Sequence, residues 1–112
     1  MKFTQLLIIT LSLICAGSLN AQTEQLQKAN LEFSNGGYAD AADLYKVAYK
    51  KEKEIDTKAM ILFKTAECYK NIHHYEDAEQ YYEKAITAKY HKQDEFVYYA
   101  LGQTLLEQGK YD

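Results

Sequence analysis

The sequence predicts an all-α chain built from repeated pairs of helices, and three observations carry that expectation. There is no proline anywhere in the 112 residues. No stretch alternates apolar and polar residues for long, so strand signals are missing. One helical spacing also occurs twice. Tyr38, Ala41, Tyr45 and Ala48 are separated by three, four and three residues, and Tyr75, Ala78, Tyr82 and Ala85 repeat the pattern 37 residues later. Positions so spaced share one face of a helix.

Taken in order, the chain opens with a segment of a different kind. Met1-Lys2 gives a positive start, Leu6 to Ile14 is nine residues without a charge, and Cys15 to Ala21 is mostly small or polar. That three-part pattern predicts a secretory signal peptide over residues 1–21, cleaved after Ala21. Nine residues are too few for a bilayer core, which takes about 20 in a helix. Cys15 raises lipid attachment as a minority alternative, because a bacterial lipobox wants a small residue before its cysteine and Ile14 is not small. The chain has 13 basic and 16 acidic residues. Removing the leader takes only Lys2, so the mature part carries 12 against 16, a net charge of −4. An acidic domain without a basic run offers no electrostatic footprint for nucleic acid. Cys68 is then the one remaining cysteine, so no internal disulfide can form, and its neighbours Ala66, Glu67 and Tyr69 suit a small buried hydrophobe.

Each matched segment is preceded by another helical run. Leu62, Thr65, Ala66 and Tyr69 precede the second segment, and Tyr98, Leu101, Gly102 and Leu105 form a third run at the same spacing. Six residues separate Tyr69 from Tyr75, and again Leu105 from Tyr111. Tyr38, Tyr75 and Tyr111 therefore mark three equivalent helix–turn–helix joints, 37 and 36 residues apart. Gly36, Gly37 and Gly109 supply permissive backbone at the turns, and His73 takes the comparable place in the middle one. Asp40, Glu76 and Asp77 fall in first turns of second helices, where negative charge meets the positive end of the dipole. The small residues Ala41, Ala48, Ala66, Ala78, Ala85 and Gly102 are expected where two helices approach closely. The tyrosines fill the space beside them, with hydroxyls at the rim.

The run from Leu62 through Ala85 resembles the tetratricopeptide repeat signature. Ala29 to Tyr38 (ANLEFSNGGY) is similar to a common variant of it, and Tyr98 to Tyr111 looks like the first half of a further copy. The resemblance spans residues 22–112, as repeats at about 22–55 and 59–92 and an incomplete one at 95–112. It implies a right-handed superhelix of antiparallel helix pairs, a solenoid of about two and a half repeats. The sequence departs from the pattern in three ways. Intervals of 37 and 36 exceed the usual repeat of about 34 residues, and the closing proline is missing. Gln25 stands where a large apolar residue is usual, which suits an end repeat facing solvent.

Repeats of this family line a concave groove with their first helices and hold peptides there. By that resemblance the groove draws on Leu26, Asn30 and Phe33, then Met60, Phe63, Glu67 and Lys70, then Phe96, Tyr99, Gln103 and Leu106. An apolar, aromatic lining with a few polar points suits an extended or helical segment of another protein. The competing expectation is that some of these side chains pack against a connecting loop. Family members that hold chaperone tails use a clamp of Lys and Asn. Here only Asn30 matches it, while Leu26, Lys64, Phe96 and Ala100 occupy the other places. Phe96 and Ala100 cannot bind a carboxylate, so that ligand is rejected.

His73-His74 and His91 fall in expected connections, with no Cys or carboxylate spacing to complete a zinc site. Lys50-Lys51-Glu52-Lys53-Glu54 mixes signs and is most simply a solvated helix end. Phosphate loops, nucleophile elbows and HExxH pairs are absent. The expectation is a non-enzymatic scaffold of the cell envelope, exported to the periplasm or associated with the outer membrane. It would bind a peptide or helix of another envelope protein, with no metal, cofactor or small-molecule substrate. Membrane contact would come only through a downstream domain or lipidation. The rival expectation makes these repeats the N-terminal module of a longer envelope enzyme. The third helical run is apolar nearly all round, where a terminal repeat should be polar outside. It suggests a chain that continues beyond Asp112, as in the tetratricopeptide segments at the front of OmpA-like envelope proteins.

Overall fold

Local chemistry sets the helix starts. Helix α1 (Glu24–Ser34) begins where the Thr23 hydroxyl accepts the Leu26 N–H at 3.2 Å. Helix α2 (Tyr38–Lys51) and helix α4 (Tyr75–Thr87) come straight out of turns without a side-chain cap, and place Asp40 and Glu76-Asp77 in their first turns. Helix α3 (Ile55–Asn71) is capped by the Glu54 carboxylate, which accepts the N–H groups of Asp56 at 3.1 Å and Thr57 at 2.6 Å. The Thr57 hydroxyl and these N–H groups hold the Glu54 carboxyl below its usual range. A single 3-10 turn (Tyr90–Lys92) leads into α5 (Phe96–Glu107). The Lys50–Glu54 run is the end of α2 and the link to α3. This computed structural model describes residues 23–110. The leader expected over residues 1–21, with Cys15, and the third joint residue Tyr111 lie outside them. Among the described residues there are five α-helices, no strand, and no helix long and apolar enough to cross a membrane.

The three joints are built alike. Gly36, His73 and Gly109 take left-handed φ values of 82°, 63° and 72°. Their N–H groups bond to the carbonyls of Phe33, Lys70 and Leu106 at 3.1, 3.0 and 2.9 Å. One residue on, the N–H groups of Gly37, His74 and Lys110 reach back to Glu32, Tyr69 and Leu105 at 2.8, 2.9 and 2.9 Å. That crossed pair of bonds is the Schellman termination of a helix. Glycine takes the conformation freely in two cases, and a histidine bears it in the third.

Consecutive helices pack antiparallel. Phe33 meets Tyr38 while Asn30 meets Tyr45, so α2 ascends as α1 descends. Tyr49 lies under Lys58 and Lys46 over Tyr69, which sets α3 against α2 in the same way. Glu67–Tyr82 and Phe63–Tyr90 align α3 with α4 and the turn beyond it. Alanines make the close approaches: Ala29, Ala41 and Ala48 in the first pair, and Ala66, Ala78 and Ala85 in the second, are fully buried.

Two apolar clusters follow from this order. One gathers Leu26, Ala29, Ala41, Tyr45 and Ala48 with Ile61 and Cys68 of α3. The other gathers Leu62, Phe63 and Ala66 of α3 with Ala78, Tyr82, Tyr90, Val97 and Ala100. Helix α3 thus serves both. Ile61 and Cys68 face back to the first pair, and Leu62, Phe63 and Ala66 face forward. In α5 the backward positions recur 36 residues on as Val97 and Thr104, both fully buried. In α1 the matching positions hold Glu24 and the exposed Leu31, and no described residue packs there from an earlier helix.

One close approach does not occur. Gly102 corresponds to the fully buried Ala66, yet a Cβ at Gly102 would meet no heavy atom within 4 Å. Among the described residues no second helix lies against that side of α5, so the glycine faces open space.

Candidate partner-binding face

The helices α1, α3 and α5 present equivalent positions 30, 67 and 103, and the chemistry repeats with them. The hydroxyl of Tyr45 donates to Asn30 Oδ1 at 2.6 Å, and the hydroxyl of Tyr82 donates to Glu67 Oε1 at 2.6 Å. Both rings are fully buried. Burying a phenol without a partner costs on the order of 1–3 kcal/mol, so each second-helix tyrosine requires an acceptor on the first helix. At the third position, Gln103 Oε1 accepts from Lys70 Nζ at 3.3 Å, and its Nε2 donates to the Tyr99 hydroxyl at 3.0 Å. Burial raises the ionisation of Tyr45 and Tyr82 well above the ordinary phenol range. Glu67 adds to the effect at Tyr82, because its carboxylate accepts the hydrogen bond of the neutral phenol and repels a phenolate.

Around this polar row the surroundings change from α1 to α5. Phe33 is half-buried, edge-on to Tyr38 at 5.3 Å and to Tyr45 at 6.4 Å, with the Lys64 ammonium 4.5 Å above its ring. Met60 is half-buried in the seam between the two apolar clusters. Phe96, Tyr99 and Leu106 of α5 are 44%, 61% and 57% exposed, an open apolar surface beside Gln103.

Two expected lining residues do not line an open groove. Phe63 is only 7% exposed because the 3-10 turn lays Tyr90 on it, ring to ring at 4.6 Å and 19°. Leu26 is fully buried against α2. Both are core residues, and the loop-packing expectation describes Phe63. The face therefore consists of Asn30, Phe33, Met60, Glu67, Lys70, Phe96, Tyr99, Gln103 and Leu106.

The positions expected to pack the repeats sort by place. Ala41, Tyr45, Ala48, Ala66, Ala78, Tyr82 and Ala85 are fully buried, and Leu62 nearly so. Tyr38, Tyr69, Tyr75 and Leu101 are half-buried at the ends and edges of the pairs. Tyr69 stacks with both His74 and Tyr81, at 6.2 and 5.6 Å. The Tyr75 hydroxyl bonds to His73 Nδ1 at 2.7 Å. Cys68 is buried, and burial pushes its thiol up to about 12. Among the described residues no three His, Cys, Asp or Glu side chains converge to hold an ion.

Sequence reasoning missed Tyr90, which lies outside the repeated pattern. It also missed that Ile61, Cys68, Val97 and Thr104 form a backward-facing line, although the burial of Cys68 was expected. The line had a signal, since 61 and 68 recur as 97 and 104 after one interval of 36.

Fold and site together define an all-α protein of two equivalent helix pairs followed by a further helix. The chain matches no family model, no curated protein and no solved structure.

Proposed function

We propose that this protein is a non-catalytic scaffold of the tetratricopeptide kind. It is exported, resides in the periplasm or at the outer membrane, and holds a peptide or helical segment of another envelope protein on the face of α1, α3 and α5. The observation that carries the proposal is the row Asn30, Glu67 and Gln103 beside an open apolar surface on α5. Exposed aromatic rings next to fixed polar groups supply contact area and orientation in protein recognition. The three equivalent joints support the family resemblance, because they repeat in backbone geometry as well as in sequence.

Site-specific photo-crosslinking in the source cells tests it. A benzophenone side chain at position 99 or 106 is expected to capture one and the same envelope protein. At position 43, on the exposed side of α2, it is expected to capture none. The Tyr99→Ala/Leu106→Ala variant is expected to lose the adduct formed from position 96. Equal capture from position 43, or none from α5, overturns the proposal.

A further inference from the structure

A concave surface elsewhere shares no residue with that face. It is a cleft of about 910 Å³ between α2 and α4. Lys46, Tyr49 and Lys50 form one wall, Tyr81 and Lys84 the other, and Leu62 of α3 lies at the bottom. Three lysines thus open on one cleft, and among the described residues none has a carboxylate oxygen within 4.0 Å. Two of them share an aromatic ring: the ammonium of Lys84 lies 4.6 Å from the Tyr81 centroid and that of Lys46 6.0 Å from it. Lys46 also stands 5.0 Å from the Tyr69 ring. Cation–π attraction gathers these charges, but like charges so placed repel, and an anion between them relieves the repulsion. Glu83 is the single carboxylate lining the cleft, which is therefore net positive in a chain of net charge −3.

The repeat does not ask for these lysines. The counterpart of Lys46 one interval of 37 later is Glu83, and the counterpart of Lys84 one interval earlier is Val47. The cleft owes its charge to side chains that differ between the two pairs.

We propose that this cleft binds a short acidic segment of a partner protein. Carboxylates of the segment meet Lys46, Lys50 and Lys84, and an apolar side chain enters toward Tyr49 and Leu62. Phosphate fits less well for two reasons. The chain contains no arginine, so it has no planar fork for two phosphate oxygens, and a phosphate has nothing to place on an apolar floor. A bilayer fits less well because the charges line a concavity that a flat surface does not enter. The inference stands apart from the scaffold proposal, since it uses a different face.

Fluorescence anisotropy on the 112-residue chain tests it, with a dye-labelled hexapeptide Glu-Asp-Phe-Glu-Glu-Leu as probe. Binding is expected to weaken about tenfold between roughly 50 and 300 mM NaCl, because the attraction is screened. The same peptide with Gln and Asn for its acids is expected not to bind. The Lys46→Gln/Lys84→Gln variant is expected to weaken binding about tenfold, the size of two screened charge contacts. Lys28→Gln, exposed on α1 and outside both surfaces, is expected to leave it unchanged. Lys50→Glu, at an exposed position, repeats the loss without touching the lysines that rest on aromatic rings. No binding of the acidic peptide overturns the inference. So does loss only in Lys70→Gln, which places the peptide on the α1–α3–α5 face. Displacement of the peptide by inorganic phosphate or by phosphatidylglycerol vesicles overturns its ligand class.

Discussion

His73 holds a left-handed backbone that Gly36 and Gly109 hold at the matching positions. A side chain in that conformation costs roughly 1–2 kcal/mol, while glycine bears none of the steric part. The hydrogen bond between His73 Nδ1 and the Tyr75 hydroxyl is exposed and recovers little of it. His73→Gly is therefore expected to stabilise the protein by about 0.5–1 kcal/mol, after allowance for glycine's greater unfolded entropy. A urea titration checks it, and an unchanged or lower midpoint refutes it. The histidine was legible in the sequence as a glycine surrogate because it falls 37 residues after Gly36. What the sequence could not show is the bond to Tyr75 that comes with it.

Between neighbouring helices the spacing of small residues decides what fits. Ala66 is fully buried where α3 meets α4, so Ala66→Leu forces extra methylenes into a filled site, at a cost of about 1–3 kcal/mol. Gly102 is its counterpart on α5 with open space around the missing Cβ. Gly102→Ala is expected to stabilise α5 by about 0.5–1 kcal/mol, the helix-interior penalty of glycine. Opposite signs at two equivalent positions, read by thermal melts, are the expected outcome; a destabilised Gly102→Ala contradicts it. The helices and their joints were legible in the sequence because the 3-4-3 spacing recurs and no other element competes with it. The candidate face was legible only in part. Helical spacing identifies residues on one stripe, but cannot say that Tyr90 folds over Phe63 or that Leu26 turns inward. Those outcomes depend on a loop and on a neighbouring helix, neither of which leaves a period. The lysine cleft was invisible for a similar reason, since its walls come from two helices that are not consecutive.

Across the whole molecule, each helix is held chiefly by its neighbours in sequence, and the interior contains groups that resist ionisation. Burial raises the ionisation of Tyr45 and Tyr82, and pushes Cys68 up to about 12. Their folded values lie above unfolded ones of about 10 for tyrosine and 8.5 for cysteine. The stability they contribute is thus intact below those unfolded values and is lost as pH rises through and above them. Each group is expected to steepen the alkaline decline by up to about 1.4 kcal/mol per pH unit. Tyr82→Phe should flatten that decline between about pH 10 and 11.5, and denaturant midpoints across the range check it. An unflattened slope would show that Tyr82 ionises as freely when folded as when unfolded. The like-built turns have a consequence for inheritance. A stretch cut at two of them, such as residues 38–74, is a self-terminating cassette whose ends match. Duplicating or deleting it in the gene would lengthen or shorten the protein by one whole helix pair. The row begun by Asn30 and Glu67 would then gain or lose a member, so the reach of the surface toward a partner can change in single steps without a new fold having to arise.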